Sequence, residues 1–253
     1  EDDMIFPRRM ILVFLVVATF SLQIVRCSNP IPNRADICIY NATPAGIAAA
    51  IGAAQNGLEV ELIEPTHRIG GMVTSGLSHA DFHSFEALTG AYLDFTQRVE
   101  AYYRDTYGKD SQQVEDSFRG TFGEPRVNLQ IFQEMLAEYP SITIRRNLRL
   151  VNVETNGRTI TTARFQSDAD TLTLQAIVFI DASYEGDLMA RAGVEYTVGR
   201  EGRDVYGESL APAQSDSQLQ GYNFRFCATN DPENRAPVER PVGYQAEDFV
   251  ELL

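Results

Sequence analysis

The sequence predicts an α/β fold built on a parallel sheet, and three observations predict it. The apolar run Ile37-Cys38-Ile39-Tyr40 leads through a small-residue stretch to a second run ending at Glu64, a strand, helix and strand in about 30 residues. Short β-like runs then cluster between Ile142 and Leu174, broken by Asn156-Gly157, a hairpin signal. A late run, Ile177-Val178-Phe179-Ile180, is wholly apolar, as expected of a parallel strand buried on both faces beside the first one.

Residues 36–81 form the first unit. The turn Asn41-Ala42-Thr43-Pro44-Ala45-Gly46 precedes a helix expected over Ile47 to Asn56, with Gly57 where a C-terminal cap is wanted, and a strand over Glu59 to Ile63. Such a unit lays a dinucleotide pyrophosphate on a helix N-terminus, which requires small side chains in the first turn. Ala42, Ala45, Gly46, Ala48, Ala49 and Ala50 meet that need, and Asn41, Thr43, Pro44, Ala45 and Gly46 are the candidate contacts. Aligned as G-x-G-x-x-G, the first two glycine positions hold Asn41 and Thr43. Asparagine tolerates left-handed backbone angles better than other non-glycine residues, so the turn remains feasible. Glu64 lies 18 residues after Gly46, near the spacing of the acid that accepts from an adenosine ribose hydroxyl. A carboxylate there repels a 2′-phosphate and disfavours NADP. On this motif alone, a generic crossover that binds nothing is the alternative.

Arg8-Arg9 followed by the apolar run Met10 to Phe20 reads as a secretory signal peptide over residues 1–27, beginning at Met4 and cleaved after Cys27. The arginine pair permits a twin-arginine route, and a signal anchor is the alternative. The expectation is a secreted or periplasmic protein without a stable membrane span after cleavage. Residues 28–35 read as a linker. Cys38 and Cys227 then remain, with no C-x-x-C signature, which sets aside zinc and redox-thiol chemistry. The 253 residues are 44% hydrophobic, enough for a full core, and the net charge of −14 argues against nucleic-acid partners.

Residues 82–140 read as a helical insertion. Leu88, Tyr92, Phe95, Val99 and Tyr102 recur at helical steps from Phe82 to Tyr107, and these aromatics are expected to pack in the core. Lys109 to Phe122 reads as loop, and Glu124-Pro125 opens a helix that Pro140 ends. Residues 141–199 hold the remaining strands: Ile142 to Arg145, Leu148 to Glu154, Thr159 to Phe165, Thr171 to Leu174 and Ala176 to Ile180. The last empties into Asp181-Ala182-Ser183-Tyr184-Glu185-Gly186-Asp187, at the sheet edge where ligands bind.

The strings Thr43 to Ala50, Glu64-Pro65, Gly70-Gly71-Met72, Asp181 to Asp187, Ala192-Gly193-Val194, Val198 to Glu201 and Tyr206 to Leu210 together resemble a family of FAD-dependent oxidoreductases met in bacterial polysaccharide-degrading contexts. Members typically carry two glycines where this chain has Asn41-Ala42. The resemblance implies a Rossmann-like FAD-binding domain of the glutathione-reductase type, with parallel sheet, β-meander and helical insertion. It also implies FAD as cofactor, held further by Arg68, Gly70, Gly71, Met72, Asp181, Ala182, Ser183, Gly186 and Asp187. Residues 200–253, with a strand-like Gln220 to Cys227 and a turn-rich Asp231 to Pro237, look like the start of a substrate domain. The chain ends within a helix-like run at Phe249 to Leu253, and is expected to be the N-terminal fragment of a longer protein.

No catalytic group is assigned. His79 and His83, beyond the Gly70-Gly71 turn, are candidates for proton donation or covalent flavin attachment, and Arg225 for orienting an anionic substrate. Two readings follow: a secreted FAD-dependent oxidoreductase acting on a small or carbohydrate-type molecule, and a degenerate, non-catalytic nucleotide-binding module.

Overall fold

The computed structural model describes residues 33–77, 80–221, 228–247 and 250. The expected signal segment and most of the linker, His79, the Gln220 to Cys227 strand past Gly221, and the terminal helix-like run apart from Val250 lie outside the described residues. Six strands, β1 (Asn33–Tyr40), β2 (Val60–Ile63), β3 (Ile142–Arg145), β4 (Arg149–Asn156), β5 (Thr159–Gln166) and β6 (Thr171–Asp181), form one sheet in the order β3-β2-β1-β6-β5-β4. The β3-β2-β1-β6 part is parallel; β4, β5 and β6 run antiparallel as a meander.

Strand β1 sits centrally because its alternating side chains are apolar on both sides. Ile37 and Ile39 face the core shared with the helices, whereas Cys38 and Tyr40 face a second core with Leu150, Ala163, Phe165 and Leu174 from the meander. The strand begins at Asn33, inside the stretch expected as linker, and Ala35 is buried. Tyr40 stacks on Phe165 with centroids 5.9 Å apart, and its hydroxyl accepts the Leu150 N–H at 3.3 Å.

Helix α1 (Pro44–Gln55) crosses from β1 to β2, burying Gly46, Ile47, Ala50 and Ile51. It ends as the glycine predicts: Gly57, at φ 77°, donates to Ala54 O and Leu58 donates to Ala53 O, satisfying two terminal carbonyls. Between β2 and β3 lie α2 (Gly71–Thr74), α3 (Gly90–Tyr107), α4 (Gln112–Asp116) and α5 (Pro125–Ala137). Phe95 of α3 stacks on Phe132 of α5 at 4.3 Å, so the aromatic stripe packs in the core as expected.

Three further expectations need correction. The helix expected from Phe82 starts only at Gly90; Thr89 is extended and Gly90 takes φ 60°, leaving a single 3₁₀ turn at Phe85–Ala87. The stretch 109–122 contains α4, capped by the Ser111 hydroxyl on Val114 N–H at 3.4 Å. The apolar end of β6 is not buried on both faces: Ile177 is 66% and Val178 45% exposed. Its pairing with β5 covers only Thr171 to Leu174, so beyond that point β6 has β1 on one side and no strand on the other among the described residues.

Candidate functional site

The turn after β1 is where the chain converges. Asn41 makes it with φ 78°, the left-handed conformation its side chain tolerates, so asparagine does here what glycine does in the usual fingerprint. Ala42 donates its N–H to Glu64 Oε2 at 3.0 Å, and its carbonyl accepts the Gly70 N–H at 2.7 Å. The Thr43 hydroxyl caps α1 by accepting the Gly46 N–H at 3.3 Å and donates to Ala182 O at 2.8 Å. Pro44, at the first helical position, brings no N–H of its own. Thus the ends of β2 and β6 and the turn at Gly70 all close on residues 41–46.

Gly46 is required by this closure. A β-carbon on it would overlap the Asn41 carbonyl oxygen and lie 3.1 Å from Ala182 Cβ. Ala45 is exposed beside it, so the first turn of α1 presents bare backbone and the positive end of the helix dipole to the carboxyl edge of the sheet.

Glu64 is 3% exposed. Its Oε2 accepts Ala42 N–H, and its Oε1 accepts the Thr66 N–H at 2.8 Å and the Thr66 hydroxyl at 2.7 Å. A carboxylate offers about four acceptor directions, so these three contacts leave one. Arg68 is half-buried and spends its Nε on Thr74 O at 2.8 Å, bracing α2. Gly70 and Gly71 take φ 93° and 52°; a β-carbon on Gly70 would press on Thr74, and one on Gly71 would strike the Tyr184 ring.

The second block is organised around Asp181. Its Oδ1 accepts the Ser183 N–H at 3.0 Å and the Ser183 hydroxyl at 2.7 Å, and its Oδ2 accepts the Met189 N–H at 2.8 Å. Ser183 Oγ in turn accepts the Asp187 N–H at 2.9 Å, and Gly186, at φ 73°, opens the short helix α6 (Asp187–Arg191). Asp181 therefore shapes the loop that carries Ala182, Ser183, Gly186 and Asp187.

The structure thus places Asn41, Thr43, Pro44, Ala45 and Gly46 in one turn, joins Glu64, Gly70 and Ala182 to it through Ala42 N–H, Ala42 O and the Thr43 hydroxyl, and adds Tyr184, which the sequence reading does not single out. The Tyr184 hydroxyl accepts the Met72 N–H at 2.9 Å and so ties the glycine turn to the 181–187 loop. Burial holds the Tyr184 phenol above its usual range, offset in part by the Met72 N–H and reinforced by Glu64 and Glu185. An aromatic set among the small residues Ala182, Ser183 and Gly186 was the available signal. His83 lies elsewhere, exposed in a cleft with Phe82 and Phe118.

No curated protein sequence matches the chain. L-proline dehydrogenase from P. horikoshii is a similar solved structure, 17% identical with TM-score 0.37 over 60% of this chain and 23% of that one. So is 3-ketosteroid-delta4-(5alpha)-dehydrogenase from Rhodococcus jostii, 11% identical with TM-score 0.40 over 59% of this chain and 45% of that one. For p-nitrophenol 4-monooxygenase from Pseudomonas putida the values are 12% and 0.41, over 64% and 44%. The chain spans less than half the length of each of these structures. The family described as FAD dependent oxidoreductase matches residues 36–252. The chain belongs to this FAD dependent oxidoreductase family, whose cofactor is FAD.

Proposed function

We propose that this chain is the cofactor-binding part of an exported oxidoreductase that oxidises a small or carbohydrate-type molecule. The observation that carries the reading is the convergence of Thr43, Glu64, Gly70 and Ala182 on the N-terminus of α1 at the carboxyl edge of three parallel strands. In that arrangement the backbone of residues 43–46 faces the pyrophosphate, Glu64 accepts from the adenosine ribose, and the Gly70-Gly71-Met72 and 181–187 loops line the continuation toward the flavin. FAD, when bound, supplies the two-electron acceptor; the protein supplies position and electrostatics. The positive end of α1 offsets phosphate charge, and the half-buried Tyr184 phenol stays protonated at neutral pH.

Export rests on the basic flank and apolar run of residues 8–20. N-terminal sequencing of protein recovered outside the cytoplasm checks it: a chain starting near Ser28 supports cleavage, and a retained Met4 to Cys27 segment sinks it. Asn41 supports the oxidoreductase reading over the degenerate module, because it makes the left-handed turn that a fingerprint glycine would make. A visible spectrum of the purified protein after incubation with FAD and desalting separates the two: flavin bands support the oxidoreductase, a folded but colourless protein the module.

A further inference from the structure

A second concave site lies between residues 80–86 and 118–122, with a volume of about 550 Å³. Its floor is aromatic: Phe118 stacks on Phe122 at 5.1 Å and lies 6.3 Å from Phe82. Phe118 is nonetheless 50% exposed, so one side of this stack is uncovered. The backbone is spent on that arrangement. Phe118 and Arg119 take φ 44° and 59°, positive angles that non-glycine residues adopt only when their surroundings impose them, and Gly120 follows at 78°. Here the Thr121 hydroxyl holds Phe118 O at 2.8 Å, the Phe122 N–H holds Ser117 O at 2.9 Å, and Gly120 sits so close to Thr96 O of α3 that a β-carbon would overlap it.

The charges of the cleft are sorted. The Arg119 guanidinium lies 3.4 Å over the Phe85 ring and pairs with Glu86 at 3.0 Å, so its charge is already met. Asp81 is exposed at the mouth, and its carboxylate has no partner among the described residues. An anion therefore meets Asp81 in a chain of net charge −14, whereas a hydrogen-bond donor or cation finds an acceptor there. The cleft is also tied to the glycine turn: the Asn128 amide donates both to Val73 O of α2, at 3.2 Å, and to Gly123 O, at 2.9 Å, while Phe132 packs on Gly70.

We propose that this cleft binds a small ring compound bearing a hydroxyl or ammonium group, its ring lying on Phe118 and its donor on Asp81. That this is the substrate side of the protein rests on the reading that the Gly70-Gly71 turn, to which Asn128 ties the cleft, holds FAD.

Saturation-transfer NMR on the full chain, with and without FAD, tests it using benzyl alcohol, benzylamine and benzoate as probes. Benzyl alcohol and benzylamine are expected to bind and benzoate not. Phe118→Ala is expected to weaken both binders by about 2- to 10-fold, the range of an aromatic pair contact. Phe118→Leu, which keeps apolar bulk without the ring, serves in its place if alanine disturbs the circular dichroism. Asp81→Asn is expected to weaken benzylamine alone, and FAD content is expected to be unchanged in all variants. Equal binding of benzoate, binding indifferent to Phe118, or FAD retention with no ring binding overturns the proposal. Ring binding by a protein that retains no FAD instead supports the site and sinks the flavin reading.

Discussion

The Thr43 hydroxyl donates to the carbonyl of Ala182 at 2.8 Å, across 139 residues of sequence. The same oxygen caps α1, so one side chain fixes both the helix start and the distance between the first strand's turn and the last strand's exit. Thr43→Ala removes the cap and the tie together. The expected loss is about 1–2 kcal/mol, the range for deleting an N-cap, read as a lower urea midpoint with unchanged slope. Thr43→Ser keeps the hydroxyl and is expected to lose less than half as much; equal losses would show that only the methyl matters.

Glu64 is expected to govern FAD affinity. Its carboxylate already organises Ala42 and Thr66, and the proposed role gives its remaining acceptor direction to a ribose hydroxyl. Glu64→Ala is expected to weaken FAD by roughly 1.5–3 kcal/mol, the value of a hydrogen bond to a charged group. Isothermal titration of FAD checks this, and an unchanged dissociation constant rules the role out.

Cys38 gives the fold an alkaline limit. Burial, with Glu61 adding to it, pushes its thiol up from 9.0 to about 12. A raised folded value means that this contribution is complete below about pH 9 and is lost as pH rises toward 12, because the unfolded chain releases the proton first. Stability is expected to fall over that window with a component of about 1.4 kcal/mol per pH unit from this group. Cys38→Ala should flatten that component in urea titrations from pH 8 to 11, while Tyr40, Tyr92, Tyr103 and Tyr184, raised chiefly by burial, keep a residual slope above pH 10. An identical slope in the variant contradicts the assignment.

Much of this architecture was legible because strand patterning is local. Ile37 to Tyr40, Val60 to Ile63 and Ile177 to Ile180 are neighbours in one parallel sheet, as their apolar runs predict, and Asn156-Gly157 joins two paired strands. Asn41 was legible because few residues accept its backbone angle. What the sequence hid depends on partners distant along the chain. The exposure of Ile177 and Val178 follows from where β5 stops pairing, and the later start of α3 from Thr89-Gly90 interrupting an apolar spacing that Leu88 continues. Tyr184 has no periodicity to betray it; its role arises from Gly71 lying against it, 113 positions earlier in the chain.

The central claim is that the turn from Asn41 to Gly46 is built to hold the pyrophosphate of FAD. FAD retention after desalting, read from the flavin bands of wild type, Gly46→Ala and Gly52→Ala, tests it most directly. A β-carbon at position 46 overlaps the Asn41 carbonyl, whereas at position 52 it meets nothing within 4 Å, so the second variant controls for helix propensity in the same helix. The account predicts that wild type and Gly52→Ala retain FAD with equal occupancy, and that Gly46→Ala, still folded by circular dichroism, is colourless. Flavin retained equally by Gly46→Ala, or absent from a folded wild type, contradicts it.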